Sequence, residues 1–142
     1  MERNYKLIME LGENAKSFKL ETAVCNHGFF MMAPNYWIPT TKTLMRVLRL
    51  SDSITCVTVS ISHPSNQNFL QVVVLGMDKL SSQDAEAILV GRMLRISAQD
   101  ERNIEVFHKV NPQAKKKGFG RLFRSPTLFE DVIKSILLCN CP

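Results

Sequence analysis

"KTLMRVLRLSDSITCVTVSISHPSNQNFLQVVVLGM", residues 42–77, carries three runs, 42–51, 53–62 and 68–77, in which apolar and β-branched side chains recur at near-alternate positions. A period of two marks a strand with one face buried. Ile54, Cys56, Val57, Val59 and Ile61 make the pattern plainest in the second run, and "HPSNQN" supplies turn chemistry before the third. The prediction is an antiparallel β-meander. In the first run Leu44, Val47 and Leu48 stand against Arg46 and Lys42, which places the basic residues on an expected exposed face.

Upstream, "SFKL" (17–20) reads as a short strand. "ETAVCNHGFFMMAPN" (21–35) reads as a helix of about two turns, with Glu21 and Thr22 in its first turn, Gly28 as a left-handed stop and Pro34 just beyond. Phe29, Phe30, Met31 and Met32 are expected in the core. Residues 1–16 form a polar lead that lacks the apolar centre and cleavage site of a signal peptide. No apolar run approaches the ~20 residues that span a bilayer. The expectation is an intracellular protein without membrane contact.

Downstream the period changes to that of a helix. Ser81 and Asp84 resemble a capping box, with Ala85, Ile88, Leu89, Arg92 and Met93 along one stripe. A second helix, 99–111, places Ile104, Phe107 and Val110 together and ends at Asn111 and Pro112. Residues 112–124 form a basic linker. Ser125 then offers a cap, Pro126 a first helical residue, and Glu130 and Asp131 acids for the positive end of the dipole. The helix that follows, 125–142, is apolar around most of its circumference, so it is expected to be covered on several sides.

Charge is unevenly distributed. Lys and Arg number 18 against 13 Asp and Glu, and residues 111–124 alone hold Lys115, Lys116, Lys117, Arg121 and Arg124 with no acid. Such a cluster suits a polyanion, and equally a solubilising loop. Phe119 and Phe123 interleave with these bases as in a single-strand groove; the preferred reading is that both rings anchor the linker to the core.

Other chemistry is weak. Cys25, Cys56, Cys139 and Cys141 fit reduced intracellular thiols, and Cys25 with His27 and Cys139 with Cys141 match no common zinc spacing, so no metal or cofactor is expected. His27, His63 and His108 have no carboxylate or nucleophile at motif spacing, and His63 before Pro64 reads as a turn residue.

"GFGRLFRSPTLFEDVIKSILLCNC" (118–141) and "AVCNHGFFMMAPNYWIPTTKTLMRVLRL" (23–50) resemble the helix-hairpin-helix DNA glycosylases of base excision repair, of the 8-oxoguanine and 3-methyladenine type and plant-like. The likeness runs from about Phe18 to the last residue. It implies an α+β fold: an antiparallel β-meander of the TATA-binding-protein type with packed helices, residues 17–111, leading through 112–124 into 125–142 as the first helix of a truncated all-α glycosylase module.

The resemblance further implies a nuclear protein that contacts damaged double-stranded DNA. The DNA-binding residues would be Lys115, Lys116, Lys117, Arg121, Arg124 and Asn140. Asn140 falls where the family places a tip amide that enters the gap left by a flipped nucleotide; read from the residues alone it is a helix cap beside Pro142. The family's nucleophilic lysine and assisting aspartate lie beyond the matched stretch, and Asp131 and Lys134 match neither. The chain is therefore expected to lack glycosylase and AP-lyase turnover. The rival expectation is a non-enzymatic nucleic-acid-binding or interaction domain that pairs with itself or a longer form through its terminal helix.

Overall fold

The structure, a computed structural model, describes residues 3–13, 17–88 and 90–140. The meander is present as β3 (Thr43–Arg49), β4 (Cys56–Ser62) and β5 (Phe69–Leu75), extended at one edge by β2 (Tyr36–Ile38). At the other edge lies β1 (Asn4–Glu10), and the antiparallel sheet runs β1-β5-β4-β3-β2. The α+β class is as expected.

The polar lead thus supplies a strand. Tyr5, Leu7 and Met9 pair with Val74, Val72 and Leu70 and pack on the core, while Lys6, Ile8 and Glu10 face away. That is a period-two pattern in a charged sequence, the usual composition of a sheet edge. Its positions 14–16 lie outside the described residues.

Register sets the core. Leu44 pairs with Ile61 and Leu48 with Val57, while Ile61 pairs with Val72 and Val59 with Val74; these residues form the buried face. Arg46 pairs with Val59 in the same inward row and is buried, contrary to the expected exposed position. Alternation required this, because Leu44, Arg46 and Leu48 are two apart; Val47 is the residue that faces out.

Residues 17–20 do not form a strand. Phe18 is buried in the approach to α1 (Leu20–Val24), and Leu20, Ala23 and Val24 face the sheet at helical spacing. Gly28 does not stop this helix; Cys25 caps it, and Gly28 opens a 3-10 turn, Gly28–Met31. Met31 of that turn is exposed, so only Phe29 and Phe30 of the four expected core residues pack against the core.

Ser81 caps α2 (Ser82–Ala87), its hydroxyl accepting from Asp84 N at 3.0 Å. The single helix expected here is broken at Ile88 and resumes as α3 (Val90–Met93), with Ile88 and Met93 buried; Leu89 lies outside the described residues. Ser97 then caps α4 (Ala98–Val110), on which no residue is fully buried and Val110 is largely exposed. The basic linker begins with a short helix, α5 (Pro112–Lys116), and continues as an extended strap.

The last helix, α6 (Leu128–Asn140), starts later than expected. Thr127 supplies the cap, its Oγ1 accepting from Glu130 N at 3.2 Å. Ser125 is instead fully buried, its amide donating to Asp131 Oδ1 at 2.8 Å and its hydroxyl accepting from Lys134 Nζ at 3.2 Å.

Candidate nucleic-acid interface

The strap 118–126 is held by side chains that bind its backbone. Asn26 Nδ2 donates to Arg121 O, and Asn26 Oδ1 accepts from Phe123 N at 3.4 Å. His27 Nε2 donates to Phe123 O at 2.5 Å while its Nδ1 accepts from Phe29 N at 3.2 Å, which uses both ring nitrogens. Arg95 Nε donates to Leu122 O at 3.1 Å, and Arg92 Nε to Pro126 O at 2.6 Å. Phe123 is thereby seated in the core, as expected of an anchor.

Phe119 is not. Its amide donates to Ala114 O at 2.9 Å and its carbonyl accepts from His108 Nε2 at 2.5 Å, yet its side chain stays 48% exposed. The strap lies so close to α4 here that a Cβ on Gly120 would stand 2.9 Å from His108 Nε2.

Between the strap, α4, α5 and the entry to α1 opens a cleft of about 1030 Å³. It gathers Lys115, Lys116 and Lys117 with Lys19 and Lys109, with Phe119 and His108 also on the wall. Among the described residues none of these five lysines is in an ion pair. Three acids also line it, Glu13, Glu101 and Glu105, and Glu101 is taken by Arg121.

Arg121 belongs to the wall but its guanidinium is engaged. Nη2 donates to Glu101 Oε2 and Nη1 to Arg95 O, each at 2.7 Å, and the group lies over the Phe18 ring at 5.5 Å. Arg124 is outside the cleft lining; its Nε donates to Arg92 O at 2.8 Å. Burial first, then the neighbouring Arg95 and Arg92, push its guanidinium down from the ordinary value. Asn140 is also apart from the cleft, exposed in the last turn of α6, with Nδ2 donating to Ile136 O at 2.8 Å. Of the six residues expected to meet DNA, the structure brings four to one cleft and leaves three of those, the lysines, without a partner among the described residues.

Lys19 and Lys109 joined the site unforeseen: Lys19 lies far from the basic run in sequence and is brought to it by the packing of the strap on α1, while Lys109, six residues before Lys115, sits in the last turn of α4, within the helix expected at 99–111. Among the described residues no cysteine lines the cleft: burial first, then the Glu21 carboxylate, push the Cys25 thiol up, Cys56 and Cys139 are exposed, and Cys141 lies outside the described residues.

The terminal helix carries a second notable surface. Leu128, Phe129, Val132, Ile133, Ile136 and Leu137 spread over about half of its circumference and are all exposed, while Lys134 is its buried residue. Its polar side faces the sheet. No helix among the described residues is long and apolar enough to cross a membrane.

No protein-family model, no curated protein and no solved structure matches this chain.

Proposed function

We propose that this chain is a DNA-contacting domain of the base excision repair glycosylase type, nuclear, and without base-releasing activity by itself. The observation that carries the reading is the cleft at which five lysines converge without partners among the described residues. Cations left unpaired around a concavity suit a phosphodiester backbone, where each contact releases condensed counterions. The antiparallel sheet with its helices supports the α+β part of the resemblance carried by residues 18–142, and the TATA-binding-protein-like arrangement is part of the proposal. Asn140 is exposed at the end of α6, and to act as the wedge of that resemblance its amide would exchange the bond to Ile136 O for one to the orphaned base. Lys134 Nζ donates to Ser125 and Glu130, and Asp131 accepts from the Ser125 amide, so both side chains serve to seat α6.

Binding of a fluorescent duplex, followed across salt concentration, tests the reading. The expected affinity falls steeply with salt, and replacing Lys115, Lys116 and Lys117 with Gln reduces the log–log slope by up to about 3. Undetectable or salt-insensitive binding of DNA, duplex and single-stranded alike, argues against it. Duplexes containing 8-oxoguanine or an alkylated base should show no base release, and measurable release overturns the statement about activity.

The apolar arc of α6 supports a second reading, a non-enzymatic interaction domain. A native mass above that of one chain, lost on placing lysines in the arc, favours it.

A further inference from the structure

We propose that Phe119 is a stacking platform and that the lysine-lined cleft takes an unpaired DNA strand. This rests on the DNA-binding reading above and narrows it. "GFG", residues 118–120, is built to present one ring. Gly118 at φ +74° and Gly120 at φ +156° bracket Phe119, in backbone conformations that other residues adopt at a cost. The amide and carbonyl of Phe119 are both bound, to Ala114 and His108, so the chain beneath the ring is fixed while the ring is half in water. Phe123, on the same strap, is buried. A phenylalanine held out on a pinned backbone loses little further freedom when a flat apolar partner covers it.

The surroundings specify that partner. Lys115, Lys116 and Lys117, with Lys19 and Lys109 in the lining of the same cleft, supply positive charge for a phosphodiester chain. A base lies within one sugar of each phosphate, so a strand tracking these lysines brings bases past the ring. Aromatic side chains among bases in a groove are the mode by which single strands are held without sequence preference. In a duplex the faces of the bases are already stacked on one another, and a side-chain ring at the surface has none to cover.

The test compares a labelled oligothymidylate of about 15 nucleotides with a duplex of the same length at equal salt. The expected result is tighter binding of the single strand, a loss of about five- to a hundredfold in that affinity for F119A, and retention for F119W, with duplex binding the same in all three proteins. Thermal unfolding of both variants verifies that they are folded. Equal or tighter binding of the duplex, or an F119A variant that holds the single strand as well as the parent protein does, overturns the inference and leaves the DNA-binding reading in place. Failure of both probes to bind overturns the two together.

Discussion

Arg46, on the inward face of β3, and Glu130, in the first turn of α6, form an ion pair of 2.9 Å that ties the terminal helix to the sheet. The pair continues on both sides. Arg46 Nη1 donates to Asn35 Oδ1 at 3.0 Å, and Lys134 Nζ reaches the other oxygen of Glu130 at 2.6 Å and the hydroxyl of Ser125 at 3.2 Å. Since Lys134 is the buried residue of α6, the helix is seated by this polar network and not by its leucines. A network with its members satisfied is stable in a low-dielectric setting, and it is intolerant of losing one of them.

Arg46→Met is therefore expected to destabilise the fold by about 3 kcal/mol, measured by urea unfolding, because Asn35 Oδ1 and one oxygen of Glu130 lose their buried donor while Lys134 still holds the other oxygen. The triple replacement Arg46→Met, Glu130→Leu, Lys134→Met should cost less than the single one, as the charged groups leave the interior together and apolar side chains take their place.

Acid should loosen the same network. Burial, the largest single influence on Glu130, pushes its carboxyl up, but the hydrogen bonds and charges of Arg46 and Lys134 together outweigh burial and hold it below its ordinary value. A carboxyl lowered on folding stabilises the protein fully above its unfolded value, about 4.3, and that contribution is lost as pH falls through the lower folded value. Asp52 and Asp84 are also lowered, chiefly by hydroxyl bonds from Thr55 and from Ser51 and Ser81, so their contribution is likewise lost on the acid side. The expected outcome is that E130Q flattens the acid limb of the stability profile without abolishing it, as read by chemical unfolding across pH.

The two phenylalanines of the strap should separate cleanly. Phe123→Ala opens a cavity in the core and is expected to cost about 3–5 kcal/mol. Phe119→Ala, at a half-exposed ring, should cost under about 1 kcal/mol. Denaturant midpoints of the two variants verify the contrast.

On α6, Phe129→Lys together with Ile136→Lys is expected to change stability by within about 0.5 kcal/mol per site, since both side chains are exposed. The same pair should reduce binding of an apolar dye and any self-association seen by sedimentation. Marked unfolding by these lysines would show instead that the arc is needed for the fold.

The meander was legible because a strand's alternation is local: residues two apart share a face whatever lies above it, so β3, β4 and β5 were readable from their own side chains. The same rule was available for β1 and for Arg46, and it was the charge of those stretches that concealed it. The cap of α6 was misplaced because Ser125 and Thr127 are both good cap residues, and what separates them is the buried ammonium of Lys134 that claims Ser125.

What the sequence by itself determined is the class of fold, the positions of α1, α4 and α6 to within a few residues and the presence of a basic run before an apolar helix; each depends on periodicity or composition within a short window. Only the tertiary structure decided which cations are spent and which remain available. Arg121 and Arg124 have the same charge as the lysines, but the first finds Glu101 and Phe18 and the second finds a carbonyl, while Lys19 comes to Lys115–Lys117 from a distant part of the chain. Pairing of charges depends on distances of a few ångströms between residues far apart in sequence, and those distances are set by packing.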